Sequence, residues 1–386
     1  MVSSIDAGHS HHPGYSSDSG KPQNTGSTKR AEVSEKPVVW LMSSYRTDSH
    51  AQWADWLVST HQQISWHRLE LPGRRFRWRI RGNPISWLDK LPKAEPDVIL
   101  ATSMVDLATI KGLHPRLAHV PAWYYFHENQ FAYPLSEHQV NRIDPQMVQL
   151  YGALTAERLF FNSEFNRRSF LDGVFELLRT KPQAESQEIR LRLERKSTVL
   201  PVPITPITPA ESKDERLIVW NHRWEYDKAP NIFAEAMIKL SKKDVDFRLA
   251  LLGDRSTAFP DQSLLLIREK LPEFIIADGR VDRESYLRIL SKAGVVVSTA
   301  LHEFQGLAML EAVSAGARPL VPDALCYPEQ YPDEYRYPPG DVKTLTTQLA
   351  HWLRRGLPPT IDVSEWYSSR LKEQWRKLFE EVKNNG

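Results

Sequence analysis

Between Pro37 and Pro322 short apolar runs alternate with amphipathic segments of helical length, and the alternation occurs twice. Val38–Ser44 (VVWLMSS), Val98–Met104 (VILATSM), Ala122–His127 (AWYYFH) and Arg158–Ser163 (RLFFNS) form the first series, with Ser49–Thr60 and Gln146–Glu157 among the segments between them. Leu217–Trp220 (LIVW), Phe247–Gly253 (FRLALLG), Phe274–Ala277 (FIIA), Val295–Thr299 (VVVST) and Pro319–Pro322 (PLVP) form the second. Helical patterns separate these at Asn231–Ser241, Asp261–Lys270, Arg283–Ala293 and Leu307–Ala315, and another follows at Asp341–Arg354. A strand that is apolar on both faces must be covered on both faces, which requires parallel strands with helices packed above and below. Two such series predict an α/β protein of two doubly wound parallel-sheet domains.

The two series meet in KSTVLPVPITPITPAESKDE (196–215), whose four prolines mark a linker. We read residues 37–205 as an N-terminal domain, 206–362 as a C-terminal domain, and 363–386 as an amphipathic helix with Trp366, Leu371, Trp375, Leu378 and Phe379 at helical spacing. Residues 1–36, rich in Ser, Gly, Pro and charge, cannot bury enough apolar area to offset chain entropy and read as a disordered tail. Three histidines there, His9, His11 and His12, are more simply a polar tail than a metal site. The tail lacks the apolar core of a signal peptide, and no apolar run reaches the ~18 residues of a membrane span. With one cysteine, Cys326, the chain cannot form an internal disulfide, which fits a reducing, cytoplasmic setting. The 50 basic against 48 acidic residues exclude indiscriminate coating of nucleic acid but not a local basic site.

In open α/β sheets ligands bind beyond the carboxyl ends of the strands, so two such domains predict a site in the cleft between them. Arg223 and Lys228 lie five apart between an apolar run and a helical pattern, where two cations and free helix amides suit a diphosphate. A solvated turn explains that spacing equally well. After VVVSTA, His302-Glu303-Phe304-Gln305-Gly306-Leu307 opens a helix carrying Glu311. Gly306 permits close backbone approach, and two carboxylates flanking bare amides can each accept from a diol, the layout of a nucleotide sugar. Leu310, Ala312 and Val313 suggest that Glu311 is largely buried, where an unpartnered carboxylate is costly and a ligand becomes a reason for it.

HEFQGLAMLEAVSAGARPLVP (302–322) resembles the E-x7-E segment of retaining GT-B glycosyltransferases, and Arg223 with Lys228 resembles their diphosphate-binding pair. YYFHENQFAYP (124–134), FFNSEFNRRSFL (160–171), VWNHRWEYDKAP (219–230), STALHEFQGLAMLEAV (298–313) and YPEQYPDEYRY (327–337) together resemble the tRNA-queuosine α-mannosyltransferase family over roughly residues 38–380. The resemblance implies a GT-B fold, two Rossmann-like domains facing across a cleft. It also implies a GDP-mannose donor, transfer with retention to the queuosine of tRNA (tRNA-Asp), and no metal ion or other cofactor. Carried over by motif, Arg223 and Lys228 neutralise the diphosphate, and the amides of Phe304, Gln305, Gly306 and Leu307 touch it. Glu311 then holds the ribose and Glu303 the mannose hydroxyls, while His127 faces the donor sugar from the first domain. Where the family shows a glycine pair after the first strand, this chain reads Ser44-Tyr45-Arg46-Thr47-Asp48-Ser49-His50, so the loop geometry or the acceptor differs.

The stretch Trp66–Trp87 carries Arg68, Arg74, Arg75, Arg77, Arg79 and Arg81, interleaved with Phe76 and Trp78. Arginine forks suit phosphates and aromatics suit unstacked bases, which makes Arg74, Arg75, Arg77, Trp78 and Arg79 candidates for contact with tRNA. The same alternation also describes the wet face of an edge strand with Phe76, Trp78 and Ile80 turned inward. Two other readings stay open: a GT-B enzyme using another nucleotide sugar with a lipid or saccharide acceptor, and a binding protein on an inactive transferase fold.

Overall fold

The structure is a computed structural model describing residues 36–133, 143–179, 182–255 and 261–385; the expected N-terminal tail lies outside these except for Lys36. Residues Lys36–Gly386 form one compact unit built on two sheets. The first contains β1 (Val38–Arg46), β2 (Ser65–Pro72), β3 (Val98–Thr102), β4 (Ala122–Phe126), β5 (Arg158–Phe161) and β6 (Ser197–Val199). The second contains β7 (Asp214–Trp220), β8 (Arg248–Leu251), β9 (Ile275–Asp278), β10 (Ala293–Val297), β11 (Arg318–Pro322) and β12 (Arg336–Tyr337). Both are parallel throughout, in the orders β2-β1-β3-β4-β5-β6 and β12-β11-β10-β7-β8-β9. The helices are α1 (Asp48–Thr60), α2 (Phe76–Trp87), α3 (Leu107–Leu113), α4 (Ile143–Thr155), α5 (Glu164–Leu177) and α6 (Gln183–Arg195) on the first half. On the second half are α7 (Pro230–Ser241), α8 (Gln262–Lys270), α9 (Arg283–Lys292), α10 (Leu307–Ser314), α11 (Val342–Arg355) and finally α12 (Ser368–Asn385).

The expected GT-B architecture is the one observed. Every residue of β3, β4 and β10 is buried, as continuous apolar runs require. Strand order reverses between β1 and β3 in one sheet and between β7 and β10 in the other, so each sheet splays open its carboxyl end at those pairs.

One reading needs correction: the arginine-rich stretch is edge strand only at its start, where Arg68 lies on β2, which ends at Pro72, whereas Arg77, Arg79 and Arg81 lie in α2, which begins at Phe76. Ile80 and Asn83 are buried and Phe76 is half-buried, but Trp78 is 54% exposed, so it does not point inward. A helical period brings Phe76, Ile80, Asn83 and Trp87 to one face. Pro84 sits inside α2 and lacks the N–H that would reach the Ile80 carbonyl; the Asn83 amide nitrogen donates there instead at 3.3 Å, and to the Arg79 carbonyl at 2.8 Å. The same amide donates to the Met104 carbonyl at 3.2 Å, fixing α2 to the loop after β3.

The C-terminal helix α12 packs its apolar face on the first sheet. Leu371, Trp375 and Phe379 are buried in the core of the first sheet with Trp53, Trp123, Tyr125 and Phe160. The Trp375 ring lies 5.9 Å from those of Trp53 and Tyr125, and Phe379 stacks on Trp123 at 5.7 Å. The chain therefore crosses between the halves twice. The two crossings run side by side, with the Ile204 N–H on the Trp366 carbonyl at 2.8 Å and the Ser368 N–H on the Ile204 carbonyl at 2.9 Å.

Trp375→Ala should destabilise the protein by about 3–5 kcal/mol in urea unfolding, the cost of emptying a large buried site. A loss below about 1 kcal/mol would show that α12 does not support the first sheet.

Candidate active site

A cleft of about 1760 Å³ runs between the carboxyl ends of the two sheets. Its second-domain wall is made by the loops after β7 and β10, the strands that flank the reversal of order. After β7, Asn221–Ala229 leaves the sheet as an irregular loop and re-enters helix at α7, with Ala229 in the left-handed region and Pro230 at the first helical position. His222 is buried, with Nε2 2.9 Å from the Ser298 hydroxyl of the facing loop. Burial, then Lys228, lower it to a pKa of about 4, so it is neutral at physiological pH. Gly253, at φ +96°, presses against this loop: a Cβ there would lie 2.0 Å from the His222 carbonyl oxygen. Arg223 extends into the cleft with its side chain 55% exposed, and its ion pair is with Glu225 at 3.2 Å.

Lys228 is almost fully buried and ties the loops together. Its Nζ donates to the His302 carbonyl at 2.6 Å and lies 3.2 Å from Glu303 and 3.3 Å from Asp227. Burial alone would lower its pKa, but Glu303 and Asp227 override that and hold it above the ordinary lysine value. Burial would likewise raise Glu303, yet Lys228, His222 and the Gly306 amide bring it down to about 2. Glu303 is therefore ionised at neutral pH. The Leu301 and His302 amides donate to the Asp227 carbonyl at 2.8 and 3.2 Å, and the Thr299 hydroxyl bonds the carbonyls of Lys228 and Ala229 at 2.8 and 3.0 Å.

Gly306 opens α10 from the left-handed region, at φ +68°, where a Cβ would meet the Tyr327 ring at 3.2 Å. The first amides of α10 have no acceptor within the helix and give its end a partial positive charge. Because α10 starts at Leu307, Glu303 lies in the loop before the helix and Glu311 within it. Glu311 is largely buried, as expected, but not unpartnered: Arg283 donates to one oxygen at 3.1 Å and the Tyr286 hydroxyl to the other at 2.9 Å. Burial and Glu311 raise the Tyr286 pKa, keeping its hydroxyl protonated as a donor.

Phe304 and Gln305 have structural duties that the sequence reading did not assign. The Phe304 ring packs 4.6 Å from His302 and 5.9 Å from Phe165 of the first domain. The Gln305 side chain bonds both ways with Val202 of the crossing segment, donating to its carbonyl at 2.7 Å and accepting from its N–H at 2.9 Å. Its carbonyl accepts from Gln330 at 2.7 Å. Of the backbone amides here, that of Phe304 already donates to the Glu303 carboxylate at 3.2 Å and that of Gly306 also bonds it, which leaves those of Gln305 and half-buried Leu307 for a ligand.

The first-domain wall comes from the loops after β1 and β4. His127 follows β4, is buried, and has its ring 4.2 Å from His50, 4.8 Å from Trp53 and 4.7 Å from Tyr125. Burial, then His50, push its pKa well down, and its Nε2 has no partner among the described residues. Such a nitrogen is costly to bury unless a ligand meets it. The glycine-free loop after β1 is held by its own contacts: Tyr45 packs edge-on against Phe76 at 5.8 Å, Arg46 pairs with Glu70 and with Asp55 at 3.1 Å, and His50 Nδ1 sits 2.7 Å from the Tyr45 carbonyl. Beside it α2 contributes Phe76, Ile80 and Arg81 to the cleft. Arg81 pairs with Asp106 at 3.0 Å, and half-buried Arg79 reaches Ser86 at 3.5 Å, whereas Arg74 and Arg75 are exposed with no ion pair among the described residues. The Arg77 side chain lies outside the described ones.

Residues 38–204 match the N-terminal domain of tRNA-queuosine alpha-mannosyltransferases, and residues 215–355 match glycosyl transferases group 1. The tRNA-queuosine alpha-mannosyltransferase of Drosophila melanogaster is 33% identical over 333 residues, covering 83% of this chain and 88% of the fly protein. The chain belongs to the tRNA-queuosine alpha-mannosyltransferase family. Like the family, it is a hexosyltransferase. Solved structures of sucrose-phosphate synthase from Thermosynechococcus elongatus (TM-score 0.63, 13% identity, 91% of this chain and 97% of that one) and of a lipopolysaccharide outer core galactosyltransferase (0.61, 11%, 89% and 99%) share its fold. So does Anabaena HepE in complex with UDP and glucose (0.63, 12%, 90% and 100%).

Of the expected site residues, His127, Arg223, Lys228, Glu303 and Glu311 all line the one cleft. The sequence reading missed Glu128, His50, Arg283 and Tyr286, which line it too. Glu128 was legible in principle, since it stands inside the HENQ string beside His127. So was His50, which closes the quoted string after the first strand, whereas Arg283 and Tyr286 are brought in by α9 and left no local signal.

Proposed function

We propose that this enzyme transfers mannose from GDP-mannose, with retention, to queuosine in tRNA, and that tRNA-Asp carries the acceptor. Family membership supports the acceptor, and the observation that carries the donor site is the junction of the β7 and β10 loops around Lys228. On this reading the diphosphate lies against Arg223, Lys228 and the first amides of α10. Arg223 is the cation left most open to solvent there, and Lys228 supplies charge from behind. Glu311, oriented by Arg283 and Tyr286, accepts from the ribose hydroxyls, and ionised Glu303 accepts from those of the mannose. Neutral His127 meets the sugar from the opposite wall as a hydrogen-bond partner. The bond between mannose C1 and the diphosphate oxygen breaks as the acceptor oxygen joins C1 on the same face. The acceptor proton passes to the departing diphosphate, giving GDP and an α-mannoside. Fixed cations and amides stabilise the leaving charge, so the reaction needs no metal ion.

Incubation with GDP-mannose and queuosine-containing tRNA in EDTA, followed by nucleoside mass analysis, should show one hexose added to queuosine. No addition, or addition only after Mg²⁺ or Mn²⁺ is restored, would contradict this reading.

On the acceptor side we place the exposed Arg74, Arg75 and Trp78 at the start of α2 against the tRNA, because the next turns of that helix form the cleft wall; Arg77 and Arg79 lie along the same helix. Arg74→Gln with Arg75→Gln should flatten the plot of log K for tRNA against log salt by about 0.7–0.9 for each lost phosphate contact, leaving GDP-mannose affinity unchanged. A wild-type slope would remove this edge from the RNA surface.

A further inference from the structure

Glu128 has no part in the donor site described above, yet it stands at its mouth. It directly follows His127 at the carboxyl end of β4 and lines the cleft. Its backbone is fixed, the carbonyl accepting from the Ser103 hydroxyl at 3.0 Å and from the Gln149 amide at 3.4 Å. Its carboxylate, by contrast, has neither hydrogen bond nor ion pair among the described residues, and it is only partly open to solvent. The charged and titratable groups that face it are Arg223, Lys228 and Asp227 across the cleft, with Tyr45 and Tyr133 on its own side. The two cations are engaged elsewhere, Arg223 with Glu225 and Lys228 with Glu303 and Asp227.

A carboxylate left unpaired in a cleft that takes a diphosphate and a polyanion needs a reason. It repels both ligands' phosphates, so its partner must be a part of the acceptor that carries hydroxyls or positive charge. Queuosine is a 7-deazaguanosine whose C7 carries an aminomethyl arm bearing a cyclopentenediol, and the secondary amine of that arm, its one cationic group, is protonated near neutral pH. We propose that Glu128 is the specificity-determining residue that pairs with this ammonium and so admits the modified nucleoside in preference to guanosine; the inference rests on the queuosine reading above. Burial raises the Glu128 carboxyl to about 6 even though Arg223 and Lys228 pull it down. A cationic ligand in contact would favour the ionised form and recover part of that desolvation. Sugar-binding carboxylates such as Glu303 and Glu311 are already held by protein donors, which is the contrast that sets Glu128 apart.

The test compares binding of two forms of one tRNA, carrying queuosine or guanosine at the same position, at fixed salt and without donor turnover. Phosphate contacts are common to both forms and cancel in the ratio of affinities. Wild type should prefer the queuosine form, and Glu128→Gln should cut that preference about ten- to a hundred-fold, the value of a charge-assisted hydrogen bond, by weakening the queuosine form alone. The glutamine keeps a carbonyl acceptor for the diol, so the loss reports the charge. In wild type the preference should also fade as pH falls through about 6: a carboxyl with a raised pKa takes up its proton there and surrenders its charge, while the amine stays protonated. The variant should show no such limb. An unchanged preference, equal weakening of both tRNAs, or a fall in kcat with tRNA affinity unchanged would overturn the proposal, the last outcome assigning Glu128 to proton transfer instead. The wild-type mass assay decides the queuosine reading independently, and the binding ratio decides this one.

Discussion

The buried ammonium of Lys228 is the contact on which the donor side of the cleft depends. A lysine taken out of water is tolerable only when fully paired, and here Glu303, Asp227 and the His302 carbonyl saturate it. Those partners belong to the two loops that leave β7 and β10, so satisfying one charge fixes both sides of the point where strand order reverses. The amide and hydroxyl bonds from Leu301, His302 and Thr299 add to the same seam. The result is a preorganised wall whose charges do not have to move when a ligand arrives. In a site that stabilises a departing diphosphate, fixed dipoles and charges of this kind contribute more than equivalent groups that must first reorganise.

The two walls are unlike each other electrostatically. The second domain presents Arg223, Lys228 and the positive end of α10, balanced by carboxylates that are themselves held. The first presents neutral His127 and the Glu128 carboxylate, which has no hydrogen bond or ion pair among the described residues, beside Arg46 and Arg81, whose charges are paired within that domain. Gln305 joins them mechanically: its side chain is locked to Val202 while its neighbours form the donor wall, and α12 returns to the first sheet to close the second crossing. The position of one domain against the other is therefore coupled to the segment we propose meets the donor.

Much of the fold could be read from the chain because β3, β4, β10, most of β1 and Leu217–Trp220 of β7 are buried on both faces and leave no ambiguity of period. The elements that escaped are those at the rims. β2 alternates polar and apolar residues, and β6 and β12 are three and two residues long. The arginine stretch was misleading because alternating Arg and aromatic residues fit a strand, while the contacts that make α2 a helix, Asn83 with Met104 and Asp106, come from the loop after β3. In the site, strand-end residues such as Arg223 and His127 carry their position in the local string. Arg283 and Tyr286 sit a helix away from the Glu311 they orient, and only the packing of α9 against α10 reveals them.

Calorimetric titration of GDP in EDTA asks most directly whether the second domain builds a metal-free donor site with Glu311 at its nucleoside end, as we propose. Wild type should bind without metal, and Glu311→Ala should bind more weakly by about 1–3 kcal/mol, because a buried hydrogen-bonding partner is removed. GDP that binds only when a divalent cation is present, or binds Glu311→Ala as tightly as wild type, would contradict that proposal.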